Sequence, residues 1–226
     1  IAAGLLYAFD NGLSPYVSYA ESFEPQLGVD NVTGDALKPE EGEQFELGVK
    51  YQPAGSRSYV TLAYFDITQS NLPNPQGLPN APSQQEGEAS ITGFEIEGVT
   101  VVELPVGDLK LNASASWLDA EDPNGQPFSS IPEEQASIWG EFSPTAMQDL
   151  RLGVGVRYLG DNESGSITTD GYTVADMMVG YDFENWSAML NVRNLFDEEY
   201  YATCLARGDC FPGEERTVNL RVARRF

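Results

Sequence analysis

Cys204 and Cys210 are the only cysteines in the chain, with five residues between them. Two thiols this close in an exported protein form a disulfide that staples a local loop. Metal binding would need more ligands, and the sequence has no histidine and no second cysteine pair to complete a tetrahedral set. Hydrolytic chemistry lacks parts as well. A serine nucleophile would have no imidazole base, and a His–Asp pair cannot be assembled. Paired carboxylates such as Glu95 and Glu97 sit two apart on one strand, where they line a wall and enclose no cleft. Asp119, Glu121, Asp122 and Asn124-Gly125 are dense in oxygen ligands but do not have the spacing of a calcium loop; Asp122-Pro123-Asn124-Gly125 reads as a turn. The residues point to a protein that is not an enzyme and needs no cofactor.

The elements that carry these residues are strands. Leu150, Leu152, Val154, Val156 and Tyr158 alternate with Arg151, Gly153, Gly155 and Arg157, and Leu109 to Trp117 and Trp186 to Arg193 alternate in the same way. Val218, Leu220 and Val222 oppose Thr217, Asn219 and Arg221, and Phe45, Leu47, Val49 and Tyr51 oppose Glu46, Gly48 and Lys50. Successive side chains of a strand point to opposite faces, so each segment has one apolar and one polar side. Ser58 to Ile67 is the exception, apolar on both faces. The segments are roughly nine to eleven residues long, the length a tilted strand needs to cross a bilayer.

About eleven such stretches are joined alternately by short and long connections. The short set is Asp10 to Gly12, Pro53 to Ser56, Pro105 to Asp108, Pro144 to Asp149 and Glu184-Asn185; the long set is Glu24 to Gly42, Leu72 to Glu88, Ala120 to Glu134, Asp161 to Gly171 and Leu195 to Gly213. Tight periplasmic turns and long extracellular loops are the habit of outer-membrane barrels. The expected fold is therefore all-β, an antiparallel transmembrane barrel, with a soluble β-sandwich as the competing architecture. Aromatics at the strand ends, among them Tyr16, Tyr51, Trp117, Tyr158, Tyr172 and Trp186, fit interfacial girdles. Pro73, Pro75, Pro79 and Pro82 mark a stiff extracellular loop. The chain opens directly on a strand and holds an odd number of strands, which leads to the expectation of a piece of a longer barrel.

Net charge is −23, from 12 basic and 35 acidic residues. Nucleic acid is excluded as a partner, because phosphate binding needs clustered Lys and Arg. Six bases (Lys50, Lys110, Arg151, Arg157, Arg193 and Arg221) fall on inward faces, where they pair with Glu46, Glu95, Glu97 and Asp176 or with a plug. Acids crowd the long loops and form a solvated rim, or one that holds divalent cations bridging lipopolysaccharide.

Leu37-Lys38-Pro39-Glu40, Glu46-Leu47-Gly48-Val49-Lys50, Asn191-Val192-Arg193-Asn194-Leu195-Phe196-Asp197-Glu198-Glu199-Tyr200 and the terminal Arg225-Phe226 resemble the carboxy-terminal half of TonB-dependent outer-membrane receptors. The resemblance spans residues 1–226 as one barrel domain. The Cys204/Cys210 loop with Phe211, Gly213 and Glu214 is similar to the last loop of ferrichrome-type siderophore receptors.

What the resemblance implies is a 22-stranded barrel around an amino-terminal plug, which takes a ferric siderophore from outside and releases it inward when TonB pulls on the plug. It also implies that the terminal aromatic, Phe226, is part of the signal read by the barrel-assembly machinery, and that outer-membrane lipid and lipopolysaccharide surround the wall. Ligand contacts are expected from aromatic residues of the upper inner wall and loops: Phe128, Trp139, Tyr200, Tyr201 and Phe211. Cobalamin, catechol chelates or sugars are the alternative cargoes; the missing histidine argues against haem.

Overall fold

The structure is a computed structural model and describes residues 1–30, 33–72, 85 and 87–225. Phe226 and the four prolines Pro73, Pro75, Pro79 and Pro82 lie outside the described residues. Among the described residues fifteen strands run in chain order: β1 Ala2–Leu6, β2 Leu13–Glu24, β3 Glu40–Tyr51, β4 Tyr59–Ser70, β5 Glu88–Leu104, β6 Gly107–Glu121, β7 Glu134–Pro144, β8 Leu150–Leu159, β9 Asn162–Ser164, β10 Ile167–Thr169, β11 Tyr172–Asp182, β12 Trp186–Arg193, β13 Tyr201–Cys204, β14 Cys210–Pro212 and β15 Thr217–Arg224. No helix occurs among the described residues.

Eleven of the strands form one antiparallel sheet in the order β1-β2-β3-β4-β5-β6-β7-β8-β11-β12-β15. Each neighbour in space is the next long strand in sequence, so the sheet is a pure meander. Its connections alternate as expected: 7–12, 52–58, 105–106, 145–149 and 183–185 at one end, 25–39, 71–87, 122–133, 160–171 and 194–216 at the other. The last two long connections contain what the sequence pattern did not show, the hairpins β9/β10 and β13/β14.

Register fixes the faces. Paired residues of antiparallel strands share a side, and one outward row runs Leu5, Val17, Leu47, Tyr64, Phe94, Trp117. Another runs Leu111, Gly140, Val154, Met177, Val192, Val218. The opposite face carries Glu46, Lys50, Glu95, Lys110, Asn112, Arg157, Asp176, Asn191 and Asn219. The doubly apolar strand β4 resolves here: Phe65 and Ile67 face inward, opposite Gly93 and Ile91, where the missing side chain of Gly93 makes room for the Phe65 ring. Tyr16 and Tyr172 also face inward and so are not girdle residues, because their partners Gly48 and Leu159 lie on the polar side's rows.

Among the described residues no second layer covers the apolar side of the sheet. Leu47, Val154, Val218 and Leu220 are more than half exposed, and the apolar positions continue from strand to strand. A contiguous apolar face of this extent does not stay in water. From Leu109 to Trp117 the outward side chains of β6 span a band of roughly 20 Å, at about 3.4 Å per residue and a tilt of about 40°, close to the height of a lipid-facing belt. Above it β2, β3 and β6 continue as strands and turn Glu21, Glu41, Glu43, Asp119 and Glu121 outward, so part of the acidic rim stands on strand ends and not in loops.

Candidate functional site

At the end with the long connections, three of them are knitted together by short polar side chains. The Thr203 hydroxyl lies 2.7 Å from Ser130 Oγ and 3.0 Å from Asn162 Oδ1, and Asn162 Nδ2 donates to the Ala202 carbonyl at 3.3 Å. Ser164 Oγ is 3.2 Å from Ser129 Oγ and accepts from the Ala206 amide at 3.0 Å, while Thr169 Oγ1 accepts from the Cys204 amide at 2.8 Å. Asn162, Ser164, Thr169 and Cys204 are all buried. Buried polar groups persist only when partnered, and here each partner belongs to a different connection. The Cys204–Cys210 disulfide closes the β13/β14 hairpin above this network.

The base of the same connection is held by Asn194-Leu195-Phe196-Asp197. Asn194 is 1% exposed with φ at 50°. Its Nδ2 donates to the Glu198 carbonyl at 2.9 Å and the Glu214 carbonyl at 3.0 Å, and its Oδ1 accepts from the Glu198 amide at 2.8 Å. Asp197, with φ at 60°, accepts from the Arg216 amide at 2.9 Å and pairs with its guanidinium at 3.2 Å. One of the motifs that carried the family resemblance is thus a bracket joining both ends of the loop. Asp122 forms the turn read from the sequence, accepting from the Asn124 amide at 2.8 Å and the Gln126 amide at 3.0 Å. Desolvation pushes its carboxyl up, but these amides and the Asn124 side chain outweigh that and hold it below the ordinary carboxylate value.

On the inner face, charges pair with one another in part. Asp176 takes Arg157 Nε at 2.8 Å, Asp182 takes Arg151 at 3.1 Å, and Arg193 pairs with Glu214 at 3.1 Å. Tyr16 lies on Gly48 and donates to Glu46 at 2.5 Å, with Lys50 Nζ 5.2 Å from its ring centroid. Glu95 and Glu97 share this wall, and their carboxylates have no hydrogen bond or ion pair among the described residues.

The five aromatics expected to contact ligand are dispersed. Tyr200 stacks on Tyr172 with ring centroids 3.9 Å apart and covers Gly213, so its ring is committed to holding the loop. Tyr201 and Phe211 are 55% and 47% exposed on the disulfide hairpin and remain available. Phe128 is half-buried in connection 122–133, its amide bound to the Ala120 carbonyl at 3.0 Å. Trp139 is in the middle of β7 on the inner face, its indole lying across Gly153 and Gly155 of β8. Tyr200 and Tyr201 share the lining of one recess of about 510 Å³ with Tyr158, Thr168, Asp170 and Glu199. Sequence reasoning did not single out Asn194 as a clamp or Asp176 as its partner; only the register, which brings β11 beside the exit of β12, shows them together.

A single meandering sheet with an apolar outside, a charged inside and knitted loops at one end is the wall of a transmembrane β-barrel. Residues 2–195 match the family described as "TonB dependent receptor-like, beta-barrel". The chain belongs to that family, whose members are receptors and transporters of the Gram-negative outer membrane, and the soluble sandwich is set aside. It is 35% identical over 242 residues to the ferrichrome outer membrane transporter/phage receptor of Escherichia coli (strain K12), covering 99% of this chain and 31% of that protein. It is 34% identical over 232 residues to the ferrioxamine B receptor of Salmonella typhimurium (strain SL1344), covering 96% and 32%. Among solved structures, the ferric-catecholate import receptor Fiu of E. coli K12 superposes with a TM-score of 0.77 at 28% identity, covering 98% of this chain and 34% of that one. The chain spans about a third of the length of the curated relatives it matches.

Proposed function

We propose that this chain, over residues 1–226, is the carboxy-terminal part of the barrel of a receptor that takes up a ferric siderophore, driven by TonB acting on a plug. The observation that carries this reading is the last extracellular loop. It is closed by a disulfide, bracketed at its base by Asn194 and Asp197, and presents Tyr201 and Phe211 outward. Such a surface supplies aromatic contact to a bulky chelate without having to order first, which lowers the cost of binding. The relatives named for ferrichrome and ferrioxamine support the same cargo class, and the Fiu likeness supports a catechol chelate as the alternative. The wall is a conduit with no catalytic role. Glu95 and Glu97 are available to basic residues of a plug, and the acidic outer rim to cation-bridged lipopolysaccharide.

The test is titration of the full-length receptor with a ferric hydroxamate. Tyr201→Ala with Phe211→Ala is expected to weaken binding about tenfold or more, since two large aromatic contacts are removed. Unchanged affinity removes both residues from the ligand surface.

A further inference from the structure

The tip of the last loop carries chemistry that the ligand surface does not use. Between Cys204 and Cys210 the chain reads Leu205-Ala206-Arg207-Gly208-Asp209, so the disulfide closes a ring around an Arg-Gly-Asp tripeptide. These residues cap the β13/β14 hairpin: the Gly208 amide donates to the Leu205 carbonyl at 2.8 Å, and the Leu205 amide to the Asp209 carbonyl at 2.8 Å. Such a three-residue turn is completed by a left-handed glycine, and Gly208 has φ at 96°. One side of the tip is seated. Ala206 lies against Gly165, and its amide donates to Ser164 Oγ at 3.0 Å. The other side is open: Arg207, Gly208 and Asp209 are exposed, and a Cβ on Gly208 would meet nothing within 4 Å.

Only three bases occur in the five long connections, Lys38, Arg207 and Arg216. Arg216 is held by Asp197 at the loop base, whereas Arg207 pairs with Asp209 at the tip, both side chains more than half exposed. An ion pair between exposed groups adds little stability, so these two charges separate toward a partner at little cost. A guanidinium and a carboxylate on either side of one glycine offer two grips: a carboxylate pocket takes the forked cation, and a bound divalent cation completes its coordination with the Asp oxygen. Cell-adhesion receptors recognise the Arg-Gly-Asp tripeptide by this chemistry. A ring held by a disulfide and a turn presents it without having to order first. We propose that residues 207–209 are an adhesion site on the cell surface, an Arg-Gly-Asp turn taken by a protein receptor of another cell through Arg207 and Asp209. The site needs the end with the long connections to face outward; it does not rest on the cargo.

The full-length protein in lipid nanodiscs is titrated with the soluble ectodomain of an integrin that binds Arg-Gly-Asp peptides, in buffer containing manganese. The expected result is saturable binding that is lost in EDTA and displaced by a cyclic Arg-Gly-Asp peptide. Asp209→Glu keeps the charge but moves the carboxylate by one methylene, and is expected to weaken binding roughly tenfold or more; Arg207→Gln does the same. Cys204→Ser with Cys210→Ser keeps the tripeptide but opens the ring, and falls between. Hydrogen exchange checks the fold of Asp209→Glu, in which the Cys204 amide on Thr169 keeps its protection. Absence of saturable binding by the natural sequence overturns the site, and so does binding that survives EDTA, the competing peptide or Asp209→Glu. Equal affinity in the opened ring removes the part played by the staple in presenting the tripeptide.

Discussion

Replacing Asn194 by Ala removes the clamp at the exit of the wall. Three hydrogen bonds go, two donated by Nδ2 to the Glu198 and Glu214 carbonyls and one accepted from the Glu198 amide. At 1% exposure no water replaces them, so each loss counts at roughly 0.5 to 1.5 kcal/mol or more. A residue with a Cβ but no side-chain partner at φ of 50° adds about 1 kcal/mol of backbone strain. The expected cost is about 3 to 5 kcal/mol, spent locally. Exchange at Glu198 and across 213–217 rises steeply, whereas the β8/β11 ladder stays protected. Asn194→Gly isolates the backbone part and recovers about 1 kcal/mol. A cost below about 1 kcal/mol for Asn194→Ala, or equal loss of protection in the β8/β11 ladder, would refute the idea of a local bracket.

Outward and inward positions should differ sharply. Val154→Arg, in the middle of the apolar row, costs roughly 2 to 4 kcal/mol in denaturant unfolding from lipid vesicles, and the inward Asn219→Arg stays within about 0.5 kcal/mol; similar costs would reverse the assigned faces. Gly155→Val drives a side chain into the Trp139 indole and is expected to cost roughly 1 to 3 kcal/mol, with Trp139→Ala in the same chain relieving part of it. The carboxyl of Asp122 should titrate below a free aspartate in a carbon-13 shift measurement. Because its folded value is depressed, the turn's extra stability is present above the unfolded value and is lost as pH falls through the folded one.

The faces were legible in the sequence because a strand between lipid and an aqueous interior repeats every two residues, as Leu150 to Tyr158 does. Strand β4 hid its pattern because Phe65 and Ile67 are apolar residues on the wet side, and what makes room for Phe65 is Gly93 on another strand. Trp139 was readable as inward but not as resting on Gly153 and Gly155, since that contact depends on which residues of β8 lie opposite. The hairpins β9/β10 and β13/β14 left no periodicity at all. Their three- and four-residue strands are held by Ser129, Ser130, Asn162, Ser164, Thr169 and Thr203, whose hydroxyls and amides look like ordinary loop composition until the loops are brought together.

That contrast also separates the strands from the exit of β12 in how far each restricts its sequence. Alternation is shared by every barrel wall, and any apolar residue of moderate size serves on the outside, so the strands constrain their sequence weakly. The exit from β12 is a different problem. The chain must leave the ladder after Arg193, turn twice through left-handed backbone at Asn194 and Asp197, and still satisfy the amides and carbonyls of both loop ends. Asn and Asp are the side chains that tolerate that backbone and bond to neighbouring main chain. A segment with two such requirements three residues apart admits few alternatives, and its buried Asn194 borrows an acceptor, Asp176, from the wall itself. One of the motifs behind the family resemblance therefore stands where wall and loop are joined, and the loop is built as an extension of the barrel.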